Sequence, residues 1–287
     1  MKKPVWFKKA PLGREIGSKN FIELKNIIED RGIFTVCREA KCPNIGECWT
    51  HRTATFMILG DTCTRNCAFC SIKKASDGHK LALPSDKEIE NISKTIYELN
   101  LKHAVITTVT RDDLKDGGAM HFYKLCINIH KLLPSCTIEL LISDLHGNIE
   151  SLKTILSAPI SILNHNIETV PSLYKKIRPM ASYERSLKIL SEAKKISPKI
   201  RTKSGMMLGL GETKDEILKT MDDLLNANVD ILTLGQYLQP TKNQVPVKEF
   251  IPPEQFNEYK KIGLQKGFDI VEASPFTRSS YNARNHV

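Results

Sequence analysis

The chain has 287 residues, 41% of them hydrophobic, and 42 Lys and Arg against 32 Asp and Glu give it a formal charge of +10. That length can bury a full core and suits one large domain of α/β-barrel size. No apolar run reaches the roughly 20 residues of a membrane span, and the opening MKKPVWFKKAPLGRE has neither the apolar stretch of a secretory signal nor the composition of a transit peptide. A cytoplasmic protein that neither spans nor binds a membrane is therefore expected. The lysine pairs are scattered and no basic-aromatic module is present, which argues against nucleic acid and leaves an acidic protein as the partner the charge would favour. Six of the eight cysteines crowd into two trios, a pattern of metal ligation in a reducing compartment rather than of a disulfide scaffold.

In chain order, the first trio is Cys37, Cys42 and Cys48, spaced C-x4-C-x5-C in CREAKCPNIGECW. Pro43, Asn44 and Gly46 are turn formers, so a loop wrapping an inorganic core is predicted there rather than a helix. TATFMILG (53–60) is a β-branched, apolar run that predicts a first strand feeding directly into GDTCTRNCAFCSI (60–72). Cys63, Cys67 and Cys70 form the second trio, C-x3-C-x2-C, with Phe69 before its last member. Three thiolates on so compact a loop can hold one face of a cubane iron-sulfur cluster and leave its fourth iron open to a substrate amine and carboxylate. Structural zinc wants four closed ligands in a tetrahedron, and only His51 and His79 lie near the thiols. Each trio has ligands enough for its own cluster. A zinc ribbon pooling four of the six thiols would strand two reactive cysteines.

A β/α alternation follows. Ser85 and Glu88 read as a capping box opening a helix with Ile89, Ile92, Ile96 and Leu99 on one face. HAVITTV (103–109) reads as a strand, and its exit TRDDLKDGG (110–118) carries polar residues where a barrel keeps its chemistry. The next helix turns Phe122, Leu125, Cys126, Ile129 and Leu132 inward; Cys126 and Cys136 read as core cysteines. IELLIS (138–143), ISILNHNIE (160–168), RTKSGMMLG (201–209) and ILTLGQY (231–237) are further strands. Thr213 and Glu216 form a second capping box, ahead of inward Ile217, Met221, Leu224 and Leu225. Six strands alternating with helices through right-handed crossovers predict a parallel sheet curling into an incomplete barrel. The Pro-rich stretch 239–255 reads as a rigid loop before a last helix, which closes on the tail EASPFTRSSYNA (272–283).

The second trio, with an aromatic before its last cysteine, resembles the radical S-adenosylmethionine superfamily. In order along nearly the whole chain, the C-x4-C-x5-C trio, GDTCTRNCAFC, VITTVTRDDLKDGG, NHNIETV, SYERSL, GLGET and RSSYNA resemble the lipoyl synthases. The resemblance implies an α/β fold, a partial (β/α)6 TIM-like barrel over residues 53–250. Extensions 1–52 and 251–287 would carry an auxiliary iron-sulfur cluster. It implies a sulfurtransferase that inserts two sulfur atoms at the sixth and eighth carbons of an octanoyl chain amide-linked to a lysine. No side chain can take a hydrogen from such carbons, so the cofactors must: two 4Fe-4S clusters and S-adenosyl-L-methionine.

By the same resemblance Cys63, Cys67 and Cys70 hold the cluster that cleaves S-adenosylmethionine reductively to methionine and a 5'-deoxyadenosyl radical. Cys37, Cys42 and Cys48 hold the auxiliary cluster that gives up its sulfide. Ser280 of RSSY is its displaceable fourth ligand, with Ser279 the neighbour that sequence leaves open. Asn164, Asn166 and Glu168 in NHNIE, Arg185 in YERS and Met207 in GMMLGLGE fall where family members contact S-adenosylmethionine. The partners implied are octanoylated lipoyl carrier domains (2-oxoacid dehydrogenase E2 subunits, glycine cleavage H protein), an electron donor such as ferredoxin or flavodoxin, and an iron-sulfur carrier protein. ISDLHG (142–147) departs from the proline-containing segment of the family. Two other readings are a biotin-synthase-like sulfur-inserting or methylthiolating enzyme and a non-catalytic iron-sulfur protein. The first trio and RSSY argue against the former, and six cysteines are two short of closing two cubanes for the latter.

Overall fold

Apolar strands separated by amphipathic helices layer α on β in each of the two units into which the chain divides. The computed structural model describes residues 3–9, 16–76 and 80–287, so His79 and part of the opening segment lie outside them.

The N-terminal unit comprises Pro11–Arg65 and Ser71–Ser161, with Val287. Its elements are α1 (Lys19–Asp30), β1 (Phe34–Thr35), α2 (Val36–Glu39), α3 (Ile45–Thr50), β2 (Thr55–Ile58), β3 (Thr62–Cys63), β4 (Lys73–Lys74), α4 (Asp86–Glu98), β5 (His103–Thr108), α5 (Ala119–Leu132), β6 (Thr137–Leu141) and α6 (Ile149–Leu156). Strands β2, β5 and β6 run parallel in that order, and β1 lies antiparallel along β2. Every residue of β2 is buried, as in a parallel strand covered on both faces by helices. The predicted inward faces are buried at Ile89, Ile92, Ile96, Leu99, Phe122, Leu125, Cys126 and Ile129. Leu132, in the last turn of α5, is instead exposed. Each fully buried Phe, Leu or Ile contributes about 1.5–3 kcal/mol, so these stripes carry most of what holds helix to sheet.

The C-terminal unit comprises Asn66–Cys70 and Ile162–His286 with the described part of the opening ten residues. It holds β7 (Ile162–Asn164), α7 (Pro171–Ile177), α8 (Tyr183–Ile196), β8 (Arg201–Leu208), α9 (Lys214–Asn226), β9 (Ile231–Gln236), α10 (Pro253–Lys266) and β10 (Ile270–Ser274). Strands β7 to β10 pair in chain order, all parallel. The Thr213–Glu216 capping box forms as expected at the start of α9. Its helix buries Ile217, Met221 and Leu224, while Leu225 is only partly covered.

Two strand expectations change. The run predicted to 168 stops at Asn164, because Glu168 takes φ 68 and joins the sheet only through a single bridge to Met206. Ile270–Ser274, whose last three residues are expected in the tail, is a strand; its alternating burial hides the signal, since Glu272 and Ser274 interrupt the apolar run. No helix among the described residues is long and apolar enough to cross a membrane.

Candidate active site

The first trio lies in the N-terminal unit. Cys37 sits in α2 and Cys48 in α3, so the expected loop is confined to the turn between these short helices, where Cys42, Pro43 and Asn44 lie. Gly46 continues into α3 rather than breaking it. Thr35 caps α2 by accepting the Arg38 N–H, which fixes where Cys37 enters. The thiols converge closely enough to act on one another. Burial pushes Cys37 up to about 11, with the charge of Cys42 adding to it, and burial pushes Cys48 up to about 12, with Cys37, Cys42 and Glu47 adding. The N–H and hydroxyl of Thr55 and the nearby Trp49 indole act on Cys37 in the opposite sense. Such a donor set fits a cationic inorganic core, whose charge lets all three thiols ionise together.

All eight cysteines carry thiols and no disulfide joins them. Among the described residues no three His, Cys, Asp or Glu side chains converge on one point that would hold a single ion. A cubane does not ask for that convergence, because each thiolate binds a different iron.

The second trio begins where β2 leaves the sheet through a left-handed turn, Leu59 at φ 67 and Gly60 at φ 85. The N–H groups of both residues donate to Glu88, at 2.9 Å to Oε2 and 3.2 Å to Oε1, and His121 Nε2 lies 2.7 Å from the same Oε2. The capping box expected at Ser85 is thereby overridden. Ser85 still accepts the Lys87 N–H, but the Glu88 carboxylate turns to the strand exit, where two inward N–H groups need an acceptor. Cys63 ends β3, and its sulfur accepts the Arg65 N–H at 3.4 Å.

Arg65 is buried and donates to Asp112 at 2.7 and 2.9 Å and to Asp144 at 2.6 Å. Asp144 also accepts the His146 N–H, fixing the ISDLHG segment in a turn where Leu145 and His146 take φ 47 and 52. His146 Nε2 reaches Asp112 at 2.9 Å. A cavity of about 300 Å3 opens between the β5 and β6 exits, lined by Asp112, Lys115, Ser143 and His146 among others. These are the C-terminal strand ends, where α/β barrels keep their chemistry.

Asn66–Cys70 belongs to the C-terminal unit, stitched there by backbone bonds from Ala68 N–H to Ile177 and from Val245 N–H to Ala68. Gln244 Nε2 donates to the Cys70 carbonyl at 3.2 Å, and Cys70 N–H closes a turn on Cys67. Phe69 packs against the cluster of Ile177, Leu210 and Tyr237, so the aromatic before the last cysteine is the plug that seats the loop.

Of the predicted S-adenosylmethionine contacts, three come together. Asn166 Nδ2 donates to Glu168 Oε1 at 3.2 Å, and the Met207 N–H donates to the Glu168 carbonyl at 2.9 Å. Burial raises the Glu168 carboxyl above its ordinary value, while Arg178 and Asn166 pull it down. Asn164 is buried at the end of β7, and Arg185 is half-buried in the first turn of α8. Sequence reasoning missed Arg178. Its guanidinium donates to the Asn166 carbonyl at 3.1 Å and to the Tyr174 hydroxyl at 2.8 Å, so it props the whole NHNIE segment; only its place after α7 hinted at this. Glu212 accepts the N–H groups of Gly209 and Leu210, closing its own turn.

In the tail, Ser279 donates to Asn166 Oδ1 at 2.6 Å, and Ser280 opens a turn whose carbonyl accepts the Ala283 N–H.

A C-x3-C-x2-C trio at a strand exit of a parallel α/β fold defines a radical S-adenosylmethionine protein, and residues 57–224 match the family model described as the Radical SAM superfamily. Solved structures share this fold. Methylornithine synthase (PylB) superimposes with a TM-score of 0.57 at 15% identity, over 78% of this chain and 72% of that one. Streptococcus suis SuiB gives 0.56 at 13% identity, over 85% and 55%. Sequence relatives go further. The lipoyl synthase of Halalkalibacterium halodurans is 50% identical over 100% of this chain and 92% of its own length, and that of Bacillus subtilis 48% identical over 100% and 94%. The chain belongs to the lipoyl synthase family.

Proposed function

We infer that the chain works as a lipoyl synthase, a sulfurtransferase that inserts two sulfur atoms at the sixth and eighth carbons of an octanoyl chain held on a lysine of a lipoyl carrier domain. The observation that carries this reading is likeness to lipoyl synthases along the entire chain, both thiol trios included. When bound, two 4Fe-4S clusters and S-adenosyl-L-methionine supply the hydrogen-abstracting radical and the sulfur, which no side chain can.

The chain's own residues bind and orient. Cys63, Cys67 and Cys70 would hold the cluster that meets S-adenosylmethionine, leaving one iron open; Phe69 and Glu88 set the loop that carries them. Asn164, Asn166, Glu168, Arg185 and Met207 would grip the cosubstrate. Cys37, Cys42 and Cys48 would hold the auxiliary cluster, with Ser280 as fourth ligand. The match to the RSSY motif gives that role to Ser280 rather than to Ser279, whose hydroxyl donates to Asn166. Oxygen is a weaker ligand than thiolate for iron, which suits a cluster that must be dismantled. Residues 1–52 and 251–287 would then serve as extensions of a catalytic barrel over 53–250.

The carriers would be 2-oxoacid dehydrogenase E2 subunits and the glycine cleavage H protein. Ferredoxin or flavodoxin would deliver electrons, an iron-sulfur carrier protein would rebuild the spent cluster, and the setting would be the cytoplasm. The test is a division of labour between the trios. Replacing Cys63, Cys67 or Cys70 by Ala should abolish 5'-deoxyadenosine formation. Replacing Cys37, Cys42 or Cys48 should spare it and abolish sulfur insertion. Equal loss of both activities in both sets would refute the assignment.

A further inference from the structure

We propose that Ser279 is a positioning residue that ties the tail carrying Ser280 to the cosubstrate segment, so that occupancy of the one bears on the placement of the other. This rests on the reading of Ser280 as a cluster ligand. The tie is the 2.6 Å hydrogen bond from Ser279 Oγ to Asn166 Oδ1, between residues 113 apart in sequence.

The acceptor is held on two sides. The amide of Asn166 is oriented by the bond from its Nδ2 to Glu168, and its carbonyl is fixed by Arg178. The site is also built for close approach. A Cβ on Gly205 would lie 2.5 Å from Thr233 Oγ1, 2.8 Å from Asn166 Oδ1 and 3.2 Å from Ser279 Oγ, so three side-chain oxygens converge on bare backbone of β8. The same strand grips the far end of the tail. Arg201 Nη1 donates to the His286 carbonyl at 2.6 Å, and Lys203 Nζ lies 3.1 Å from His286 Nδ1. The segment 279–286 is thus pinned to the β8 region at both ends, with Ser280 next to one pin.

Neighbouring Cα atoms sit about 3.8 Å apart, so fixing Ser279 fixes the arc open to the Ser280 hydroxyl. A molecule that draws on the Asn166 amide changes the hold on Ser279, and by reciprocity the tail changes the affinity for that molecule. The loss of one such hydrogen bond is worth about 2- to 10-fold in binding.

The experiment uses anaerobically reconstituted, 57Fe-labelled holoenzyme as wild type and as Ser279→Ala, Ser279→Thr and Ser280→Ala. The Mössbauer subsite lost in Ser280→Ala marks the serine-bound iron. Ser279→Ala should broaden or deplete that subsite and bind S-adenosylhomocysteine about 2- to 10-fold more weakly. Addition of S-adenosylhomocysteine should change amide exchange over 278–286 in the wild type but not in Ser279→Ala. Ser279→Thr, which keeps the hydroxyl, should restore all three readouts. If Ser280→Ala loses the subsite while Ser279→Ala keeps wild-type spectra, affinity and exchange, the coupling is wrong and the serine ligand stands. A Ser280→Ala spectrum identical to wild type would overturn the ligand reading and the coupling with it.

Discussion

Arg65 donates to Asp144 across 2.6 Å with both side chains almost sealed from solvent, 3% and 0% exposed. Burial alone would work against the guanidinium charge, but hydrogen bonds and charge from Asp112 and Asp144 more than offset it and raise its pKa above the ordinary value. Arg65 therefore stays charged two residues after Cys63, and through Asp144 it locks the left-handed turn at Leu145 and His146. The segment that departs from the family's proline is in this chain a charge-clamped turn.

Asp144→Ala leaves that buried cation with one carboxylate instead of two. Breaking a buried pair costs about 3–5 kcal/mol, with Asp112 keeping the loss toward the lower end. Urea unfolding of the iron-free protein measures it, and Asp144→Asn should lose less. A change below about 0.5 kcal/mol, the usual range of surface substitutions, would show that the clamp does not hold the loop.

Glu88 carries the turn into the second trio. Glu88→Ala removes the charged acceptor for the Leu59 and Gly60 N–H groups, and hydrogen bonds to charged groups are worth about 1.5–3 kcal/mol each. The expected result is reduced stability together with loss of about four of the eight irons that two cubanes imply on reconstitution. Glu88→Gln, which keeps one oxygen, should fall between. Full iron content in Glu88→Ala would separate the turn from cluster binding.

Cys126 belongs to neither trio and is fully buried, which pushes its thiol up to about 12 from the ordinary 9.0. The folded pKa is raised, so the stabilisation is fully present below pH 9, where both states keep the proton. It is lost as pH rises toward 12, because only the unfolded thiol ionises in that window. The slope for one such group is about 1.4 kcal/mol per pH unit. Cys126→Ala should flatten the alkaline decline of unfolding free energy by that amount, whatever its cavity costs at neutral pH. Parallel pH curves for the two proteins would contradict the assignment of Cys126 to the core.

Both thiol trios were legible in the sequence because ligand chemistry is written in residue type and short spacing. The parallel strands were legible because burial on both faces makes them continuous apolar runs. Strand β10 was not, since Glu272 and Ser274 alternate with its buried residues. Two identical local signatures met different fates. The capping box closes at Thr213 on an exposed helix start, whereas at Ser85 Glu88 is drawn away by a strand exit 28 and 29 residues distant in sequence. The same holds for Arg65, whose carboxylates lie 47 and 79 residues away, and for the Ser279–Asn166 bond. Residue type announced that a buried arginine would need partners; only the fold says which.

The measurement closest to the central claim is mass spectrometry of an octanoyl-lysine peptide after anaerobic incubation with the reconstituted protein, S-adenosylmethionine and a reductant. Two thiol trios acting in the roles assigned should return a peptide heavier by two sulfur atoms, with 5'-deoxyadenosine released alongside. An unchanged peptide accompanied by S-adenosylmethionine cleavage, or a product that stops at one sulfur after full turnover, would contradict the account.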